Sequence, residues 1–146
     1  MQLEKQLDRM SIPSVLFEKV DDTTIRCLAC AHRCKLVEGR HGICGVRFNA
    51  GGVLKTPGGY VAGLQVDPIE KKPFSHFLPG SQVLTFGMLG CNFRCSFCQN
   101  WETSQVLRDS EINAEWVGVR EINAQKMVNT ALQHGAASIA SSYNEP

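Results

Sequence analysis

Three cysteines spaced Cys91-x-x-x-Cys95-x-x-Cys98 follow a short β-prone run, Val83-Leu84-Thr85-Phe86, and constrain this chain more than any other feature. Three thiolates from one short loop suit iron or zinc, because soft sulfur donors disfavour the hard, oxygen-seeking cations. The number three is informative. A structural zinc site closes its shell with four protein ligands, whereas a reactive metal site keeps one position open. Zinc or a simple ferredoxin cluster would need a fourth ligand close by, and the next cysteine or histidine after Cys98 is His134. Ser81 to Phe86 is expected to be a strand, and Gly87-Met88-Leu89-Gly90 releases the chain into the loop. A ligand-bearing loop at the carboxyl end of a strand is the usual placement of active groups in α/β proteins.

The other four cysteines form an earlier group, Cys27-x-x-Cys30-x-x-x-Cys34 and then Cys44 within Gly42-Ile43-Cys44-Gly45. Four thiols so close together point to a closed zinc site or to a second iron–sulfur cluster, either of which would add folding energy to a turn-rich segment. The bland alternative is four ordinary thiols, some buried as small apolar groups. His32 and His41 are available as substitute ligands, although single histidines in polar surroundings are usually just solvated.

Seven cysteines in a secreted protein would suggest disulfides, but clustered cysteines in a reducing cytosol more often hold metal. Residues 1–10 are charged and lack the apolar core of a signal peptide, so the chain is expected to be cytoplasmic. No apolar run approaches the roughly 18 residues of a membrane span. Fifteen basic residues against fourteen acidic ones give no bulk attraction to nucleic acid or to a membrane surface.

In chain order, Met1 to Pro13 reads as a short helix or loose tail. Val15–Val20 and Thr23–Arg26 read as a hairpin turning at Asp21-Asp22. A second hairpin is expected between Gly51 and Val66 with Pro57-Gly58-Gly59 at its turn, and Asp67 to Gly80 is expected to be an extended connector. Glu111-Ile112-Asn113-Ala114 recurs as Glu121-Ile122-Asn123-Ala124, which reads as coincidence. Ala124 to His134 has the spacing of an amphipathic helix, capped by Asn123 and ended by Gly135. Ser138 to Tyr143 follows as a strand, so strand, helix and strand form a βαβ unit with parallel strands. The expected fold class is therefore α/β: a β-rich, cysteine-containing segment over residues 1–80, then a βαβ unit over 81–146.

The triplet resembles that of the radical S-adenosylmethionine (SAM) enzymes, whose third cysteine usually follows an aromatic residue, here Phe97. Asp67-Pro68-Ile69-Glu70-Lys71-Lys72-Pro73, His76-Phe77-Leu78-Pro79-Gly80 and Cys91 to Trp101 narrow the resemblance. They are similar to the AmmeMemoRadiSam-type subgroup related to pyruvate formate-lyase-activating enzymes, from about Arg26 to Pro146.

The resemblance implies that Cys91, Cys95 and Cys98 bind three irons of a 4Fe–4S cluster, with SAM on the fourth. A one-electron reduction, from a donor such as flavodoxin or ferredoxin, then yields a 5′-deoxyadenosyl radical that abstracts hydrogen. It implies that Phe97 packs on the adenosine, although core packing is an equal alternative. It also sets Asn144 and Glu145 where many members carry a glycine-glycine-glutamate motif for the SAM ammonium. Paired glycines are missing here, and the two side chains offer acceptors instead. Lys71 or His76 would face substrate, which is unidentified and, in activating enzymes, a protein. No cysteine follows Cys98, whereas activating enzymes usually add further clusters. The implied scaffold is a partial (β/α) barrel of about six strands, against the roughly 250 residues of a full eight-stranded one. Only its first two strands are expected here, so the chain reads as an N-terminal fragment that is inactive alone. The competing reading is a non-catalytic zinc or iron–sulfur module.

Overall fold

The computed structural model describes residues 2–144. Its elements, in order, are α1 (Gln2–Arg9), β1 (Ser11–Pro13), β2 (Phe17–Lys19), β3 (Ile25–Cys27), β4 (Lys35–Leu36), β5 (Phe48–Ala50), β6 (Val53–Pro57), β7 (Tyr60–Val61) and β8 (Gly63–Pro68). They continue with β9 (Gln82–Gly87), α2 (Trp101–Gln105), β10 (Arg120–Glu121), α3 (Ala124–Gln133) and β11 (Ala136–Tyr143).

The N-terminal stretch is a helix because Leu3 and Leu7, one turn apart, both bury into a core with Tyr60, Leu89, Val106 and Ile112. Strands β2, β3 and β4 form one antiparallel sheet. Its first turn is held by Asp21, whose Oδ1 accepts from the Thr23 and Thr24 amides at 2.9 and 2.8 Å. Those bonds keep the carboxyl below its usual range.

The second hairpin turns earlier than the sequence suggests. β5 and β6 pair around Gly51-Gly52, which take φ values of +63° and +72°. A two-residue hairpin turn of the favoured hand needs positive φ at both positions, which glycine adopts without strain. Pro57-Gly58-Gly59 instead carries the chain past β1, which pairs with the far edge of β6. The Gly58 amide donates to Met10 O, and a Cβ at Gly58 would collide with Ile12.

Asp67 does not begin a connector either. It lies in β8, which pairs antiparallel with β9 from Gly63↔Gly87 to Pro68↔Gln82. The division expected at residue 80 thus falls in the loop joining two strands of one sheet.

β11 runs parallel to β9, with Ser138 opposite Val83 and Ser141 opposite Phe86, giving the order β11–β9–β8. α3 connects them. Asn123 Oδ1 accepts from the Lys126 amide at 2.8 Å at its start, and Gly135 at φ +65° follows its end. One face of the sheet packs Leu84 and Ala136 on Ala131, joined by Leu64, Val66 and Met127. Alternation puts Gln65, Asp67, Val83 and Thr85 on the other face, so that face is largely polar. The described residues form four small sheets and no closed barrel. None of the described helices is long and apolar enough to cross a membrane.

The two copies of the tetrapeptide play the same local part. In both copies the isoleucine, Ile112 or Ile122, is buried, and the asparagine, Asn113 or Asn123, caps the helical turn that follows.

Candidate metal centre

The three-cysteine loop leaves the carboxyl end of β9. Leu89 is fully buried and anchors the exit, and Gly90 follows at φ +79° with its amide bonded to Thr103 O at 3.0 Å. A side chain at Gly90 would collide with Cys44 O and with Val46. Cys91 and Cys98 are half-buried, and Cys95 is exposed.

Each of the two half-buried sulfurs has a polar neighbour. The Phe93 amide donates to Cys91 Sγ at 3.4 Å, and Cys98 Sγ lies 3.7 Å from Ser104 Oγ, a buried hydroxyl on α2. Among the neighbours close in sequence, Asn92 meets Cys91 as an acceptor, with Oδ1 3.9 Å from Sγ. Ser96 is exposed, and the Gly90 amide is used on Thr103.

Past α2, Arg108 reaches back to the loop. It donates to Phe93 O at 2.6 Å and to Ile43 O at 2.8 Å, and buried Gln105 adds a bond to Phe93 O at 3.1 Å. Nothing in the spacing of Gln105 or Arg108 marks them as partners of the loop.

Phe97 is 85% exposed, so its ring packs into no core among the described residues. Asn144, at φ +66°, donates from Nδ2 to Met88 O and accepts from Thr103 Oγ1 at 3.5 Å. The end of β11 therefore meets the residues that flank the loop. Glu145 lies outside the described residues. Exposed Arg94 makes a loose ion pair with half-buried Asp109 at 3.9 Å, and Trp101 is half-exposed at the start of α2.

The four earlier cysteines sit on two adjoining turns. Cys27 ends β3 and its amide bonds Cys34 O at 2.9 Å, while Arg33, at φ +45°, closes a tight turn back to Cys30 O. Cys44 lies in a second turn, closed by the Gly42 amide on Arg47 O and the Gly45 amide on Gly42 O. Cys27 and Cys44 are buried, Cys30 and Cys34 half-buried. Burial pushes the Cys27 thiol up, and the neighbouring Cys44 and Cys30 push in the same direction. Both candidate substitute ligands are engaged elsewhere. His32 Nε2 lies 3.0 Å from Asn92 O, and His41 stacks on Phe48 with Nε2 3.1 Å from Asp8 Oδ1.

All seven cysteines are free, and among the described residues no three cysteine, histidine or carboxylate side chains converge as a metal-binding group. The donor chemistry of Cys91, Cys95 and Cys98 nevertheless fits an iron–sulfur cluster. It offers soft thiols on one loop, with an amide N–H aimed at one sulfur, the contact that tunes such clusters.

Lys71 and Lys72 both turn onto Asp67, at 2.8 and 2.9 Å, and hold its carboxyl down to about 2. With Phe74, Ser141 and Ser142 they border a cavity of about 350 Å³ near the end of β11. His76 is exposed on the loop beyond.

An uncharacterized protein of Methanocaldococcus jannaschii is 40% identical over 134 residues, which cover 91% of this chain and 38% of that protein. The chain thus spans about two fifths of the length of this curated relative. No family model and no solved structure matches.

Proposed function

We propose that the chain is part of a radical SAM enzyme, holding a 4Fe–4S cluster on Cys91, Cys95 and Cys98. One observation carries the reading. The three-thiol loop leaves the carboxyl end of β9, and the end of the parallel strand β11 returns against its flank through Asn144. Three thiols leave one metal position for an outside ligand.

When bound, the cluster and SAM supply a one-electron cleavage whose product, a 5′-deoxyadenosyl radical, abstracts hydrogen from a substrate. The chain's own residues bind and orient. Phe97 presents a ring face to the adenosine. Asn144 Oδ1 keeps one lone pair beyond its bond to Thr103, so with Glu145 it offers acceptors to the SAM ammonium. Ser104 and the Phe93 amide temper the charge on the sulfurs. A flavodoxin or ferredoxin delivers the electron. Substrate identity, including a protein substrate, is carried by parts of the barrel that these residues do not form. Seven free thiols suit a reducing compartment such as the cytoplasm.

Anaerobic reconstitution with iron and sulfide tests this reading, with metal content and electron paramagnetic resonance as readouts. After reduction with dithionite, the wild type should show a 4Fe–4S signal that SAM perturbs, and the C91A/C95A/C98A variant should lose it. Uptake of zinc alone, or full iron retention in the triple variant, would overturn the reading in favour of a metal-binding module.

A further inference from the structure

We infer that His32 is a positioning residue for the sulfur of Cys91, acting through the Asn92–Phe93 peptide; its effect on a cluster rests on the function proposed above. A carbonyl oxygen only accepts hydrogen bonds, so at 3.0 Å from Asn92 O the His32 Nε2 carries the hydrogen and donates it. Asn92 O and the Phe93 N–H belong to one peptide unit. That unit is planar and trans, so its C=O and N–H point in opposite directions. Holding the oxygen toward His32 turns the N–H the other way, and the Phe93 amide is 3.4 Å from Cys91 Sγ. The histidine thus aims an N–H at a ligand sulfur without touching the sulfur itself.

The surroundings make this an orientation device. The next carbonyl, Phe93 O, is held by Arg108 and Gln105, so two consecutive peptides have their oxygens fixed. The Cys44 turn lies close against Gly90 at the loop's start. Asn92 is itself buried, while His32 is exposed and the bond between them part-buried. An N–H bond to a thiolate ligand stabilises the more negative, reduced cluster and raises its potential.

Two measurements on the whole chain test the inference. In the reduced, metal-free protein, amide hydrogen exchange at Phe93 is followed by NMR in wild type, H32A, H32F and H32Q. H32F keeps the bulk of a ring and removes the donor, and H32Q restores a donor. Exchange at Phe93 should quicken at least tenfold in H32A and H32F and return toward wild type in H32Q. In the iron-loaded protein, the midpoint potential of H32A and H32F should fall by about 59 mV, a tenfold change in a one-electron equilibrium. H32Q should lie near wild type. Unchanged Phe93 exchange in H32F overturns the inference, as does faster exchange with an unmoved potential. If the wild type takes up no iron, the proposed function fails, and Phe93 exchange alone still decides whether His32 orients the peptide.

Discussion

The two cysteine groups differ in what surrounds their sulfur atoms. Cys27 belongs to a small core with Ile25, Leu36 and Leu54, and Cys34 packs against it, so these sulfurs share a hairpin's interior. The later three lie outside any sheet, on a loop where Cys95 is exposed and the two half-buried sulfurs have polar neighbours. A buried thiol in apolar surroundings acts as a small hydrophobe, whereas an accessible one among polar groups is available for chemistry. Cys27 packs as a small apolar group in one place, and Cys95 stands open to solvent in the other. The two regions are joined by His32 on Asn92 O, by Arg108 across Ile43 O and Phe93 O, and by the Cys44 turn on Gly90.

Substitution at the junction should have the largest effect on stability. Gly90→Ala places a Cβ against Cys44 O in a left-handed conformation that alone costs about 1–2 kcal/mol. Adding a close clash, the total should reach about 3 kcal/mol in urea unfolding, at the upper end of single substitutions. A loss below about 1 kcal/mol would mean that the two regions are not pressed together. Away from the junction, Asp67→Asn removes the carboxylate that a half-buried Lys72 and an exposed Lys71 share, and should cost about 2 kcal/mol, within the ordinary range of single substitutions. Because the folded pKa of Asp67 is depressed to about 2, its contribution is complete above its ordinary value of about 3.9. It is lost as pH falls from there toward 2, and Asp67→Asn should flatten that part of the acid-unfolding curve. The smallest effect draws the contrast between the groups most sharply. Cys27→Ser buries a hydroxyl in an apolar site and should cost about 2 kcal/mol, while Cys95→Ser should stay within about 0.5 kcal/mol. Equal losses at both positions would erase the distinction.

Features set by neighbours in the chain were legible in the sequence. The turn after β2, the capped start of α3 at Asn123, Gly135 after its end, and the β9–α3–β11 order all follow from local residue choice. Features set by distant partners were not. The Gly51-Gly52 turn competed with Pro57-Gly58-Gly59, and β1 decided the matter by pairing with β6. Asp67 in a proline-rich stretch resembles a linker residue, and only pairing with β9 makes it part of a sheet. The cysteine positions were plain, but Ser104, Gln105, Arg108 and His32 reach the loop from places that no spacing rule connects to it.

The close approach of Cys44 O to Gly90 also bears on the order of folding. It joins residues 46 positions apart in the chain, and loop-closure entropy makes such contacts late compared with hairpins closed by two-residue turns. The hairpins carrying the first cysteines can form locally, but the second loop finds its shape only when they dock. Synthesis order helps here, since the segment against which the loop closes leaves the ribosome first.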